Sequence, residues 1–151
     1  MDLYEAIEKR RTIRVYRVKA TEEQLRRLLL AGSKAPSGGN SQPWEFIIVD
    51  DQKVIDQLAE IKYQLNRQFP PGEGETQKEV EDRAVFQKKS FNNASIVAVC
   101  STSGQLSSGW LCVENISLAA VADGLGTGIV SYWAMRKKRP KNSLAFQKII
   151  R

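Results

Sequence analysis

A chain of 151 residues, 42% hydrophobic and 26% charged, has the length and composition of one globular domain that buries roughly 70% of its unfolded surface. It has no histidine, which excludes Ser-His-Asp and Cys-His nucleophiles, histidine-ligated zinc and any histidine general base. The net charge of +6 comes from residues 134–151, which hold seven Lys/Arg and no Asp/Glu, so the remaining body is nearly neutral and poorly suited to tracking a phosphate backbone.

In chain order, MDLYEAIEKR is acidic and amphipathic without the basic and apolar regions of a secretory signal, and residues 2–10 predict a short helix with Leu3, Ala6 and Ile7 on one side. Thr21 with Gln24 three residues on marks a second helix, carried by Leu25, Leu28, Leu29 and Gly32 and ended by Ala35 because Pro36 follows. WEFIIVD (44–50) predicts a buried strand. Residues 51–66 predict a helix with Val54, Ile55, Leu58, Ile61 and Leu65 inward, and FPPGEGE breaks it. A charged helix follows over 76–92, then the strand SIVAVC (95–100), the loop 101–108 and an apolar helix from Gly109 stopped by Gly124. GTGIVSYW (126–133) reads as a third strand. Strands alternating with helices point to one layered domain of mixed helix and sheet. Apolar runs are too short to cross a bilayer, so a cytoplasmic protein is expected, with Cys100 and Cys112 as buried, reduced thiols. With no cluster of metal ligands, no metal is expected, and a cofactor is the natural carrier of any chemistry.

Three stretches stand out. Arginines at 10, 11, 14 and 17, with Thr12 between them, suit a phosphate, because planar guanidinium groups donate in forks. Equally, Arg10 and Arg11 fit the C-terminus of the first helix, where cations complement the dipole. APSGGNSQPW (35–44) carries no charge. Ser37, Asn40 and Gln42 offer donors and acceptors, and Gly38 and Gly39 allow close approach of a flat, polar ligand, although turn formers in a helix-to-strand loop need no ligand. GLGTG (124–128) looks like a phosphate-binding turn, but it is not GxGxxG and precedes a strand, so a classical dinucleotide fold is disfavoured.

Taken together, AIEKRRTIRVY, LLLAGSKAPSGGNSQPWEFIIV and ENISLAAVADGLGTG resemble the nitroreductase family of flavin enzymes over about residues 1–133. The resemblance implies an α+β, three-layer α/β/α fold around a mixed, mainly antiparallel sheet, and a homodimer with FMN at the interface. It also implies ping-pong hydride transfer from NADH or NADPH through flavin N5 to nitroaromatic, quinone or similar acceptors. Carried over, Arg10, Arg11 and Thr12 would clasp the FMN phosphate and Arg14 would lie at the pyrimidine edge. Pro36, Ser37, Gly38, Asn40 and Gln42 would approach the flavin from the partner subunit. Ile129, Val130, Ser131 and Tyr132 would pass beside the ring, with a backbone N–H near Ser131 facing N5. The flavin carries the chemistry, so no catalytic side chain is expected.

Residues 134–151 depart from the family's pattern, which continues with a helix, a GIP-like turn and another strand. Codons for this basic tail, read one base earlier, permit GDEKKEAEKLFGIPKDYK, a continuation of the family's kind. The tail is therefore read as shifted in frame near Trp133, leaving residues 1–133 as a C-terminally incomplete FMN-binding domain that lacks a strand. Two alternatives follow: a flavin-binding protein without useful turnover, or a nucleic-acid binder acting through its basic tail.

Overall fold

A computed structural model gives the architecture; it describes residues 1–102 and 104–132 in full and residues 142–150 as backbone. Five helices, α1 (Leu3–Lys9), α2 (Glu22–Ser33), α3 (Gln52–Arg67), α4 (Gln77–Lys89) and α5 (Leu106–Ala122), accompany the strands β1 (Trp44–Val49), β2 (Ser95–Thr102), β3 (Gly126–Ser131) and β4 (Asn142–Ile150). Capping boxes start three of the helices: Asp2 with Glu5, Thr21 with Gln24, and Thr76 with Glu79. Gly124, at φ +73°, follows the last residues of α5 as the left-handed stop that the sequence predicts. Helix α5 begins earlier than expected, taking in Leu106–Ser108 from the predicted loop.

The sheet runs β1-β2-β4-β3 with every neighbouring pair antiparallel. A parallel bridge, Thr12 to Thr127, adds one short contact beyond β3. Both faces of β2 are covered, which explains why SIVAVC reads as a continuous apolar run rather than an alternation. Val97 and Val99 pack with Leu25 and Leu28 of α2 and Cys112, Val113 and Ile116 of α5. Ile96 on the opposite face packs with Ile55 and Ala59 of α3 and with Phe91. Helices thus lie on both sides of the sheet, the α+β three-layer arrangement expected.

Several expectations change. Strand β1 is buried at Trp44 but exposes Ile47 and Ile48, and Cys100 is only partly buried, unlike Cys112. Leu3 and Ile7 of α1 are exposed and only Ala6 of that helix is buried, because the helix rests on α5 through its smallest residue. Within α3, Val54 and Ile61 also face outward. Residues 142–150, expected to lie outside the domain, pair on one side with β2 (Ser95 opposite Ile149) and on the other with β3 (Gly126 opposite Ile150). The remaining tail positions, 133–141 and 151, lie outside the described residues.

The core contains three acids that burial keeps protonated. The Cys112 thiol is pushed up to about 12, and burial also raises the Tyr16 and Tyr132 hydroxyls above the usual tyrosine range. Each is ionised more easily in the unfolded chain, so its contribution is complete below the unfolded pKa and disappears as pH rises toward the folded one. Stability should therefore hold up to about pH 8.5 and fall progressively above it. Thermal melts at intervals through the alkaline range check this; a midpoint that did not fall would contradict it.

Candidate functional site

Beyond α1 the chain turns and runs alongside β3. The Ile13 N–H donates to the Thr127 carbonyl at 2.8 Å, next to the Thr12–Thr127 bridge. Two glycines permit this approach. A Cβ on Gly126 would lie 2.7 Å from Ile13 Cγ1, and one on Gly128 would lie 2.5 Å from the Ile13 carbonyl oxygen and 2.7 Å from the Tyr16 hydroxyl. Such contacts are too short for any side chain, so GLGTG is glycine-rich for packing: one residue stops α5 and two admit the 12–16 segment.

The parallel register brings Arg14 abreast of Ile129. Arg14, Ile129, Val130 and Ser131 line an open cavity of about 470 Å³. Its other walls come from Lys62, Asn66 and Phe69, in and just after α3, and from Arg83, Phe86 and Gln87 of α4. Backbone groups of alternate strand residues point the same way, and the carbonyls of both Thr127 and Ser131 find partners away from β4. The N–H groups of Ile129 and Ser131 accordingly face outward along the same edge. The Lys62 ammonium donates to the Ser131 carbonyl at 3.1 Å, and its partial burial lowers its pKa from the ordinary lysine value. Arg83 is held by Glu75 at 2.5 Å.

Arg10 is half-buried, while Arg11, Thr12 and Arg14 are exposed. Arg11 caps its own helix: Nη1 donates to the Glu8 carbonyl at 2.5 Å and the Arg10 carbonyl at 2.7 Å. That is the helix-terminus role the sequence left open for it. Tyr132 is buried, its hydroxyl donating to the Leu58 carbonyl at 2.9 Å, so its side chain belongs to the core beneath α3.

The loop from Pro36 to Gln42 contains a short 3-10 turn, Gly38–Asn40, and three left-handed residues: Gly39 at φ +59°, Asn40 at +54° and Gln42 at +45°. Ser37 Oγ accepts from the Gln42 N–H at 2.9 Å, and Gln42 Nε2 donates to Asn40 Oδ1 at 3.1 Å. These bonds hold an unusual backbone while leaving its polar rim exposed. The left-handed backbone accounts for glycine at 39, whereas a Cβ on Gly38 would meet nothing within 4 Å and contacts within the chain do not account for glycine there. The loop feeds β1, whereas Arg14 lies at β3. Those strands are opposite edges of the sheet, separated by three strand spacings, roughly 14 Å. The fold therefore gathers Arg14 with Ile129–Ser131 and leaves Pro36–Gln42 apart from them.

Lys62, Phe69, Arg83 and Phe86 were not singled out by sequence reasoning. A signal existed for the first: positions 55, 58, 59, 62 and 66 share one helix face, which begins Ile-Leu-Ala and ends Lys-Asn. A buried face that turns polar at one end points to a cavity.

The family model described as the nitroreductase family matches residues 7–149. An iodotyrosine deiodinase of Thermotoga neapolitana is 29% identical over 132 residues, covering 83% of this chain and 71% of that protein. A putative NADH dehydrogenase/NAD(P)H nitroreductase of Archaeoglobus fulgidus is 42% identical over 52 residues, covering 34% of this chain and 30% of that protein. Among solved structures, an oxidized iodotyrosine deiodinase bound to FMN and 3-iodo-L-tyrosine has the same fold, with TM-score 0.78, 24% identity and coverage of 99% of this chain and 89% of that one. So does the FMN- and NADPH-dependent nitroreductase NfnB of sphigopyxis sp. strain HMH, with TM-score 0.75, 16% identity and coverage of 99% and 88%. With a match from Ile7 nearly to the C-terminus and the three-layer fold in agreement, the chain belongs to the nitroreductase family.

Proposed function

We propose that the protein is a flavin-dependent oxidoreductase whose FMN binds along the β3 edge of one copy and is covered by the Pro36–Gln42 loop of a second. The observation that carries this reading is the parallel strip of Thr12–Arg14 against β3, which sets a cation beside outward backbone N–H groups over an open cavity. The donors suit the cofactor: Arg10, Thr12 and the part of Arg11 not spent on its helix for the phosphate, Arg14 for the pyrimidine edge, and a Ser131 N–H for the ring. An FMN bound there would accept hydride from NADH or NADPH and deliver electrons to a nitroaromatic, quinone or similar acceptor.

Separation of the loop from β3 supports a two-copy site, since one chain does not bring both halves together. So does the apolar surface of the two packed helices: Leu3, Tyr4 and Ile7 on α1, and Leu106, Trp110 and Leu111 on α5, are exposed. No helix among the described residues is long and apolar enough to cross a membrane.

Reductive dehalogenation of a halogenated tyrosine is the second reading, favoured by the Thermotoga relative and by the aromatic walls of the cavity, Phe69 and Phe86. The deciding experiment adds FMN to the purified chain and follows flavin fluorescence, then supplies NADH or NADPH and, in turn, a nitroaromatic, a quinone and 3-iodo-L-tyrosine. Arg14→Glu is expected to weaken FMN binding about tenfold or more, because a charge-assisted contact becomes repulsive. Equal affinity in the variant, or no FMN binding by the parent, would remove the basis for this reading.

A further inference from the structure

The α3–α4 side of the cavity carries a feature that flavin binding by itself does not require. Its described charged lining is wholly cationic, Arg14, Lys62 and Arg83, with two phenylalanines, Phe69 and Phe86, as apolar wall. No acid of α3 or α4 lines the cavity, and four of them have partners elsewhere: Glu60 pairs with Lys88 at 2.6 Å, Glu81 pairs with Arg67 at 2.7 Å and accepts from the Tyr63 hydroxyl, Asp56 accepts from Gln52, and Glu79 caps α4 with Thr76. Glu75 partners Arg83, so most of the uncompensated charge inside rests on Arg14 and Lys62.

Lys62 differs from a solvated surface lysine. It is half-buried, and its bond to the Ser131 carbonyl holds the ammonium at the strand edge. A neutral carbonyl partner leaves the charge unneutralised and two N–H donors available. An aromatic cleft with an anchored, partly desolvated cation selects flat ligands carrying an anionic group, because charge contacts strengthen where water is partly excluded.

On the reading above, which this inference rests on, we infer that the acceptor is an aromatic anion, a carboxylate- or phenolate-bearing ring, whose negative group is held by Lys62 while its ring lies between Phe69 and Phe86. Lys62 is thereby a specificity residue. The phosphate of FMN is the other anion this cation could hold, and the test separates the two.

Calorimetry on the FMN-supplemented protein compares 4-nitrobenzoate, neutral nitrobenzene and a cationic nitrobenzyl-trimethylammonium. The expected order is anion, neutral, cation, with about tenfold or more between the first two. Lys62→Met should collapse that preference, and Lys62→Arg should keep it. Flavin fluorescence in the same samples reports FMN and riboflavin affinities. If FMN does not bind, the functional reading fails. If FMN binds but nitrobenzene binds as well as 4-nitrobenzoate, or Lys62→Met keeps the preference, the inference fails alone. It also fails if Lys62→Met erases the preference for FMN over riboflavin while sparing that for the nitrobenzoate, since Lys62 would then serve the phosphate.

Discussion

Replacing Gly128 by alanine is expected to destabilise the protein by about 3 kcal/mol. The new methyl carbon would lie 2.5 Å from the Ile13 carbonyl oxygen, a backbone atom, and 2.7 Å from the Tyr16 hydroxyl, which is itself tied to that carbonyl. A flexible side chain could swing aside, but the 12–16 segment can yield only by leaving β3. That motion breaks the 2.8 Å bond from Ile13 to Thr127 and displaces Tyr16 from the core under α3. For a domain of this size the melting temperature should fall by roughly 6–12 °C. Gly38→Ala is the control, since a Cβ there meets nothing within 4 Å, and its melting temperature should barely move. FMN affinity should fall with the strip in Gly128→Ala. A variant as stable as the parent would show that the strip does not pack on β3.

Truncation after residue 141 should abolish cooperative folding. Strand β4 sits between β2 and β3, so its removal separates β3 from the rest of the sheet and strips the ladder from both neighbours at once. Two newly open edges, one of them on β2, which is buried along most of its length, would also promote association between chains. Circular dichroism and a denaturant titration check this. A truncated chain that melts at the parent's temperature would instead identify residues 142–150 as a dispensable tail, and the division proposed near residue 133 would then stand. Sequencing the gene across Trp133 tests the proposed change of frame on its own.

Legibility differed sharply between local and distant features. Helix starts were readable because a cap and its partner lie three residues apart, as Thr21 and Gln24 do. Burial of β2 was readable because a strand covered on both faces must be apolar throughout. The exposure of Leu3 and Ile7 was not, since an amphipathic pattern shows that a face exists but not what covers it. Lys62 showed locally only as the polar end of a buried helix face, and its partner, Ser131, lies 69 positions away. The strand role of residues 142–150 was hidden by their surroundings: seven basic residues in 134–151 describe a solvated tail, and pairing is a backbone property that composition does not report.

By itself, then, the sequence determined the family, the order of elements and the residue types available to a cofactor, because those depend on near neighbours and on motifs that persist as strings. Only the tertiary structure decided where those residues sit and what they touch. It showed that Gly126 and Gly128 admit the backbone of the 12–16 segment, that Arg11 caps its own helix, and that Arg14 and Ser131 share a cavity with Lys62. It also put the Pro36–Gln42 loop at the sheet edge opposite Arg14. Each of these depends on strand order and packing, which bring together residues that the chain itself holds far apart.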